Sequence, residues 1–136
     1  LIAFVKDLQA QHHDIILAGD WNETLDDTQS GLLRLATTTG LSDPWLTRFP
    51  NYPSFATREP GSKRIDSILM SPRLVASVTR IGYSPIDCFV NSDHRGMIME
   101  CDYTLLFGTN TNTLPRMAFR GVKANDKRHV TTYVEK

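Results

Sequence analysis

Five side chains of the kinds that do acid–base and metal chemistry follow or begin apolar runs of this sequence. Asp20 and Asn22 come directly after the first apolar run, and Asp66 begins the second. Asp93 and His94 stand in a turn before the last predicted strand. Polar groups at strand ends can meet on one rim of a sheet, where sites usually form. The spacing therefore predicts one site built from these five side chains.

The expected chemistry follows from the residue types. Three carboxylates on one rim repel one another in a low-dielectric pocket, and a hard divalent cation such as Mg²⁺ or Mn²⁺ offsets that repulsion. A histidine oriented by a carboxylate, His94 by Asp66, suits a phosphate oxygen, and Asn22 supplies an amide donor to the same oxygens. With one free carboxylate, these are the parts needed for attack of water on a phosphodiester.

The same residues stand in motifs whose order resembles that of a known superfamily. Residues 19–22 (GDWN), 64–66 (RID) and 92–94 (SDH) look like the last three motifs of the endonuclease/exonuclease/phosphatase superfamily. Residues 40–55 resemble the stretch between the first two of these motifs. The resemblance covers about residues 1–105, roughly the C-terminal half of that domain.

The resemblance implies a role for each residue. Asp20 would activate or position the attacking water, and Asn22 would bind the scissile phosphate. Asp66 would hold His94, which would contact a non-bridging phosphate oxygen. Asp93 would orient the site or bind the metal, together with Asp20.

The resemblance also implies the fold, the cofactor and the substrate class. The fold would be α/β (α+β), half of a four-layer α/β/β/α sandwich, with one mixed sheet and flanking helices. The cofactor would be Mg²⁺ or Mn²⁺, and the substrate DNA, RNA or a phosphoester. Two further residues are candidates for substrate binding: Phe55 as a contact to a sugar or base, and Arg64 as either a packing residue or a phosphate contact.

The elements that must position these residues are predicted from apolar periodicity. Asp27 is expected to cap the second helix, and Gly40 to end it. The predicted helices are 1–12 and 28–38; the predicted strands are 14–19, 65–70, 75–83 and 96–106; and a long ordered loop covers 43–63.

Composition limits the classes of partner. Fifteen basic residues balance fifteen acidic ones, which argues against binding nucleic acid by bulk electrostatics alone. No apolar run approaches the ~20 residues that a membrane span needs, so no membrane partner is expected. No signal-peptide pattern opens the chain, and Cys88 and Cys101 are expected to be free thiols. These features favour an intracellular protein, nuclear or cytoplasmic.

The organisation of the chain predicts a domain with a tail. Residues 1–107 are expected to form the half-domain, 108–115 a linker, and 116–136 a basic tail in which Asn125 or Asp126 would cap a short helix. The tail resembles the connector after the nuclease domain of non-LTR retrotransposon-type polyproteins. The expected partners are therefore DNA, a preceding half of the domain and a following reverse transcriptase.

Three functions remain open. The first is a divalent-metal-dependent DNA endonuclease module of a retroelement-like protein. The second keeps the fold and changes the substrate to a small phosphoester, as in phosphatase or lipid and inositol phosphodiesterase relatives. The third is a non-enzymatic remnant. The superfamily's first half supplies an Asn and a metal-binding Glu that these 136 residues lack, so weak or absent activity and poor solubility are expected of the isolated chain.

Overall fold

A computed structural model describes residues 1–88 and 91–108, which form a mixed α/β fold. The described helices are α1 (Ile2–Ala10), α2 (Gly31–Thr39), α3 (Pro44–Arg48), α4 (Pro72–Val75) and α5 (Tyr103–Phe107). The described strands are β1 (Ile16–Asp20), β2 (Asp66–Met70), β3 (Val78–Tyr83) and β4 (Met97–Cys101). None of these helices is long and apolar enough to span a bilayer.

The central element is the antiparallel pair of β1 and β2, which ends with Asp20 directly opposite Asp66. Side chains directly opposite each other share one face of a sheet, so Leu17 and Leu69 point the same way. That face packs on α1 and α2. The buried core there consists of Val5, Ile15, Leu32, Leu35, Ala36, Leu41 and Leu69.

The opposite face of β2 packs against the second strand pair. Ile68 and Met70 are buried there, with Val78 of β3 and Met97 and Met99 of β4 packed against them. β2 is therefore apolar on both faces, and its last four residues are buried. Helices α1 and α2 thus lie on one side of the β1–β2 pair, and β3–β4 lies on the other.

The prediction of one mixed sheet is wrong for the described residues. They contain two separate two-stranded sheets, β1–β2 and β3–β4, and both pairs are antiparallel. The two pairs meet through apolar side chains rather than through hydrogen bonds between strand edges. As a result β1 is paired on one edge only among the described residues, and Ile16 is 46% exposed.

Local capping explains three differences between the predicted and observed boundaries. Ser30, rather than Asp27, caps α2 by accepting a hydrogen bond from the backbone N–H of Leu33, and Gly40 ends the helix as predicted, at φ 67°. The predicted strand 96–106 ends at Cys101 because Asp102 caps α5. The predicted loop 43–63 contains α3, which Asp43 caps.

The predicted linker and basic tail lie outside the described residues, apart from Gly108. The same is true of the short helix expected after Asn125 or Asp126.

A buried ion pair connects α3 to the start of β2. Arg64 Nη2 lies 2.6 Å from Asp43 Oδ2, and the two side chains are 9% and 1% exposed. The other carboxylate oxygen of Asp43 accepts the N–H groups of Trp45 and Leu46. Removing one partner from such a pair leaves a buried charge uncompensated.

We expect Arg64→Ala to lower the free energy of unfolding by about 3–5 kcal/mol, because the Asp43 charge would remain buried. Urea denaturation monitored by circular dichroism measures this. The matched control is Arg73→Ala, which breaks the exposed ion pair with Asp14 and should change the free energy of unfolding little, because exposed ion pairs contribute little to folding. Equal losses for the two variants would contradict a structural role for the buried pair.

Candidate functional site

Three of the predicted side chains converge where β1 and β2 meet the turn before β4. His94 Nδ1 lies 3.0 and 3.1 Å from the two carboxylate oxygens of Asp66. His94 Nε2 lies 3.9 Å from Asp20 Oδ2. The imidazole ring is therefore placed between two carboxylates that come from adjacent strands, and 26% of the His94 side chain remains exposed.

The contact with Asp66 assigns the protons of the imidazole ring. An ionised carboxylate only accepts hydrogen bonds, so Nδ1 of His94 must carry the hydrogen that it donates to Asp66. Nε2 then faces Asp20 and the solvent, either as a free lone pair or, in the cationic ring, as a second donor. This is the arrangement in which a histidine holds or moves a proton at Nε2.

The backbone of Asp66 is held on both sides. Its N–H donates to Thr57 Oγ1 at 3.1 Å, and its carbonyl accepts the hydroxyl of Tyr83 at 2.8 Å. Thr57 is fully buried and also accepts the N–H of Ile65. The side chain of Asp66 therefore leaves a fixed backbone, which limits its freedom to turn away from His94.

Arg64 supports this arrangement from behind rather than facing the site. Its Nη1 donates to the Tyr83 hydroxyl at 3.0 Å, while Nη2 is held by Asp43. Burial raises the pKa of Tyr83 above its usual value and outweighs the opposing effect of Arg64. Burial lowers the pKa of Arg64, but the charges and hydrogen bonds of Asp43 and Tyr83 together more than offset it, so the pKa is raised and the guanidinium stays charged. Arg64 was predicted either to contact phosphate or to be a packing residue, and its buried contacts with Asp43 and Tyr83 are those of a packing residue.

Asn22 stands next to Asp20 in a tight turn. Its backbone N–H donates to Asp20 Oδ1 at 2.9 Å, and its side-chain Nδ2 lies 3.4 Å from Asp20 Oδ2. Asn22 has φ 52°, a left-handed conformation that asparagine adopts more readily than most residues. The turn brings the amide to the exposed side of Asp20, so both groups lie on the same rim.

Asp93 lies beside the cluster but does not join it. Its Oδ2 accepts a hydrogen bond from Arg58 Nε at 2.9 Å. That hydrogen bond holds the pKa of the Asp93 carboxyl below its usual value. The hydrogen bond and charge of Asp93, with a further contribution from Asp20, raise the pKa of Arg58. The carboxylate expected to bind metal is thus paired with an arginine.

Phe55 belongs to an aromatic cluster on the loop after α3. Its ring centroid lies 5.4 Å from that of Trp45 and 5.0 Å from that of Tyr83, both in edge-to-face geometry. Together with Tyr52 it lines a cavity of about 210 Å³. Phe55 is half-buried and packs on the same Tyr83 that holds Asp66, so it supports the site whether or not it touches a ligand.

Within the described residues, one group of side chains has the composition of a metal site. Asp20, Asp66 and His94 each offer a ligand atom, and these atoms lie within 4.8 Å of one another. Both oxygens of Asp66 already lie within hydrogen-bonding distance of His94, and only 14% of its side chain is exposed. The Asp20 side chain is 37% exposed, and apart from His94 its carboxylate contacts only the neighbouring Asn22, at 2.9 and 3.4 Å, among the described hydrogen bonds and ion pairs. Asp20 is therefore the carboxylate with most capacity left for a hard cation.

Sequence reasoning missed three residues that shape the site: Thr57, Arg58 and Tyr83. Thr57 and Tyr83 fix the backbone of Asp66, and Arg58 pairs with Asp93. A signal existed for Arg58 only, as a basic residue within a loop that was expected to be ordered. Thr57 and Tyr83 reach Asp66 through hydrogen bonds that span 9 and 17 residues, which local patterns do not encode.

Comparisons with known proteins add no assignment to this geometry. A scan against protein-family models finds no match, and a search of curated proteins finds no significant match. Function is therefore inferred from the geometry of the site itself.

We expect the stability of the protein to fall at alkaline pH through Tyr83. Its pKa is raised in the folded state, so its contribution is fully present below the unfolded value, near ~10, and is lost as pH rises through the folded value. Free energies of unfolding measured in urea from pH 8 to 11 test this. Tyr83→Phe should start about 1–3 kcal/mol lower, because Arg64 and the Asp66 carbonyl lose a partner, and should decline less. Parallel pH profiles for the two proteins would refute it.

We expect Asp66→Ala to abolish the preference of His94 for a hydrogen on Nδ1, because the carboxylate that fixes this tautomer is gone. The ¹⁵N chemical shifts of the ring report the tautomer directly. Asp27→Ala, an exposed change in the turn before α2, is the matched control and should leave the His94 signals in place. Unchanged ring shifts in Asp66→Ala would show that Asp66 does not orient the histidine.

Proposed function

We propose that this chain carries the histidine–carboxylate part of a divalent-metal-dependent phosphodiester hydrolase that acts on DNA. The observation that carries the proposal is the position of His94, 3.0 Å from Asp66 on one side and 3.9 Å from Asp20 on the other. Residues 20, 66 and 94 are far apart in sequence, and each stands at a strand end or turn. Their convergence on an exposed rim is what the hydrolase hypothesis requires.

Each residue then has a chemical task in the proposed reaction. Asp20, the more exposed carboxylate, accepts a proton from the attacking water. His94, held through Nδ1 by Asp66, presents Nε2 to a phosphate oxygen and stabilises the charge that develops there. Asn22 offers its side-chain amide to a phosphate oxygen once the contact with Asp20 Oδ2, which is long at 3.4 Å, is exchanged for the substrate.

The donor atoms of Asp20, Asp66 and His94 fit a hard cation, with Asp20 as the main ligand. Mg²⁺ or Mn²⁺ prefers carboxylate oxygens, and neutralising Asp20 and Asp66 would relieve their mutual repulsion. When bound, the ion would supply charge stabilisation of the phosphate and a more acidic water. Asp93, in contrast, is paired with Arg58 and is not assigned to the metal here.

We extend the proposal to the complete domain and to its partners. The β1–β2 pair, flanked by helices on one side and by β3–β4 on the other, is consistent with half of an α/β/β/α sandwich. On this view the preceding half of the domain completes the metal site, the substrate is DNA, and a reverse transcriptase follows in the same polypeptide. The compartment is proposed to be nuclear or cytoplasmic.

The test is nicking of supercoiled plasmid by the longest natural polypeptide that contains these residues, with Mg²⁺. We expect nicking that a chelator abolishes, and losses of about 10²–10⁴-fold in Asp20→Asn and in His94→Ala. Asp7→Asn, on the exposed side of α1, is the control and should retain full activity.

Two outcomes would contradict the proposal. Release of phosphate from inositol or lipid substrates without nicking would replace DNA by a small phosphoester. Absence of activity on either class would leave a remnant that only packs or binds.

A further inference from the structure

A short segment of the long loop joins both halves of the site. Thr57 holds the start of β2 through its hydroxyl, and its carbonyl accepts the N–H of Arg95 at 2.8 Å. Two residues further on, the N–H of Glu59 donates to the carbonyl of Asp93 at 2.8 Å. Arg58 lies between these two contacts and forms a backbone bridge with His94. The main chain of Arg58 is therefore fixed next to the catalytic histidine.

The side chain of Arg58 is held at the mouth of the site. Its Nε donates to Asp93 Oδ2 at 2.9 Å, with the two side chains 47% and 53% exposed. The backbone bridge between Arg58 and His94 places the base of this side chain beside the Asp20–Asp66–His94 cluster, and the charge of Asp20 contributes to raising the Arg58 pKa. One of the five N–H donors of the guanidinium makes the described bond, so the fork remains available on the solvent side.

Elimination among the neighbouring arginines also points to Arg58. Arg64 is buried and is held by Asp43 and Tyr83. The Nε–H and Nη1–H groups of Arg95 donate to the carbonyls of Ala56 and Ser84, so its guanidinium connects the loop to the end of β3. An anionic substrate that approached Asp20 and Asp66 without a cation nearby would be repelled.

Stability alone gives little reason for this ion pair. An exposed pair of this kind contributes almost nothing to folding. A guanidinium held by one carboxylate, however, is already oriented to bind a second anion with its remaining N–H groups. The spacing of these N–H donors matches that of two phosphate oxygens. The pair with Asp93 is therefore better explained by ligand binding than by folding.

We propose that Arg58 binds a phosphodiester oxygen of the substrate beside the scissile bond, and that Asp93 is a positioning residue that aims the guanidinium. This inference rests on the proposed function and adds a binding residue to it. The ligand chemistry is a phosphodiester, which duplex DNA and a phospholipid both offer. Duplex DNA and vesicles of phosphatidylinositol are therefore separate arms of the test.

The experiment measures binding and turnover separately, in the longest natural polypeptide that contains these residues. Binding to a duplex oligonucleotide is measured by fluorescence anisotropy in EDTA, which prevents cleavage, over a range of salt concentrations. Arg58→Ala should raise Kd by roughly 10-fold. It should also lower the magnitude of the slope of log Kobs against log salt by about one.

Matched variants separate binding from folding. Arg58→Lys keeps the charge, so the salt slope should return to the wild-type value while Kd recovers in part. Asp93→Asn should keep the slope and lower kcat/KM, because the guanidinium remains charged but loses its orientation. Arg73→Ala breaks an exposed ion pair with Asp14 at the end of the β1–β2 pair opposite Asp20 and Asp66, and should change neither Kd nor slope.

Each failure has a distinct meaning. If the wild-type protein nicks plasmid and Arg58→Ala binds the duplex with unchanged Kd and slope, the inference about Arg58 is wrong and the proposed function stands. If the wild-type protein neither nicks nor binds DNA, but binds phosphatidylinositol vesicles through Arg58, the proposed DNA substrate is wrong and the role of Arg58 stands. If Arg58→Ala changes binding in neither arm, the inference is overturned.

Discussion

Two aspartates stand directly opposite each other on adjacent strands, so their carboxylates repel each other. The rest of the site is organised around this repulsion. Like charges in opposed positions of an antiparallel pair destabilise it. Here Asp20 and Asp66 occupy such positions at the end of β1–β2, and the ring of His94 lies between their carboxylates. A sheet that tolerates this arrangement must gain stability elsewhere. It does so in the buried residues of β2 and in the contacts that hold the Asp66 backbone.

Those contacts connect the buried Asp43 to the partly buried Asp66. Asp43 caps α3 and binds Arg64, Arg64 donates to Tyr83, and Tyr83 donates to the carbonyl of Asp66. Every polar atom in this series has a partner inside the protein, which is the condition for burying it at acceptable cost. As a result, the orientation of the partly buried Asp66 and of the His94 ring that it holds depends on a buried ion pair.

The sequence predicts the exposed part of the site better than the buried part. Asp20 and Asp66 stand at the ends of apolar runs and His94 in the turn before the last strand. Strand ends and the turns next to them are where sheets gather polar groups, so the convergence of these three residues was predictable. The Asp43–Arg64 pair was not, because nothing local says that two charged residues 21 positions apart are buried together. The fourth strand was predicted too long because alternation continues past Cys101, while Asp102 switches the backbone into a helix by capping it. The prediction of a single mixed sheet was wrong for a similar reason: the alternation of apolar residues predicts strands but does not say which strand edges pair.

Among residues 1–88 and 91–108, β1 is paired on one edge only, which has a consequence for how this part of the protein contacts other chains. An open strand edge is a template that can recruit another strand through main-chain hydrogen bonds, whatever the side chains of that strand. In β1 this edge runs beside the half-exposed Ile16 and ends at Asp20. Charge at one end and an apolar residue at the other give the edge a polarity, so an incoming strand with a basic residue at the matching end would be favoured over a uniformly apolar one. An edge that would otherwise pair with many strands is therefore selective for strands whose charge matches that of Asp20.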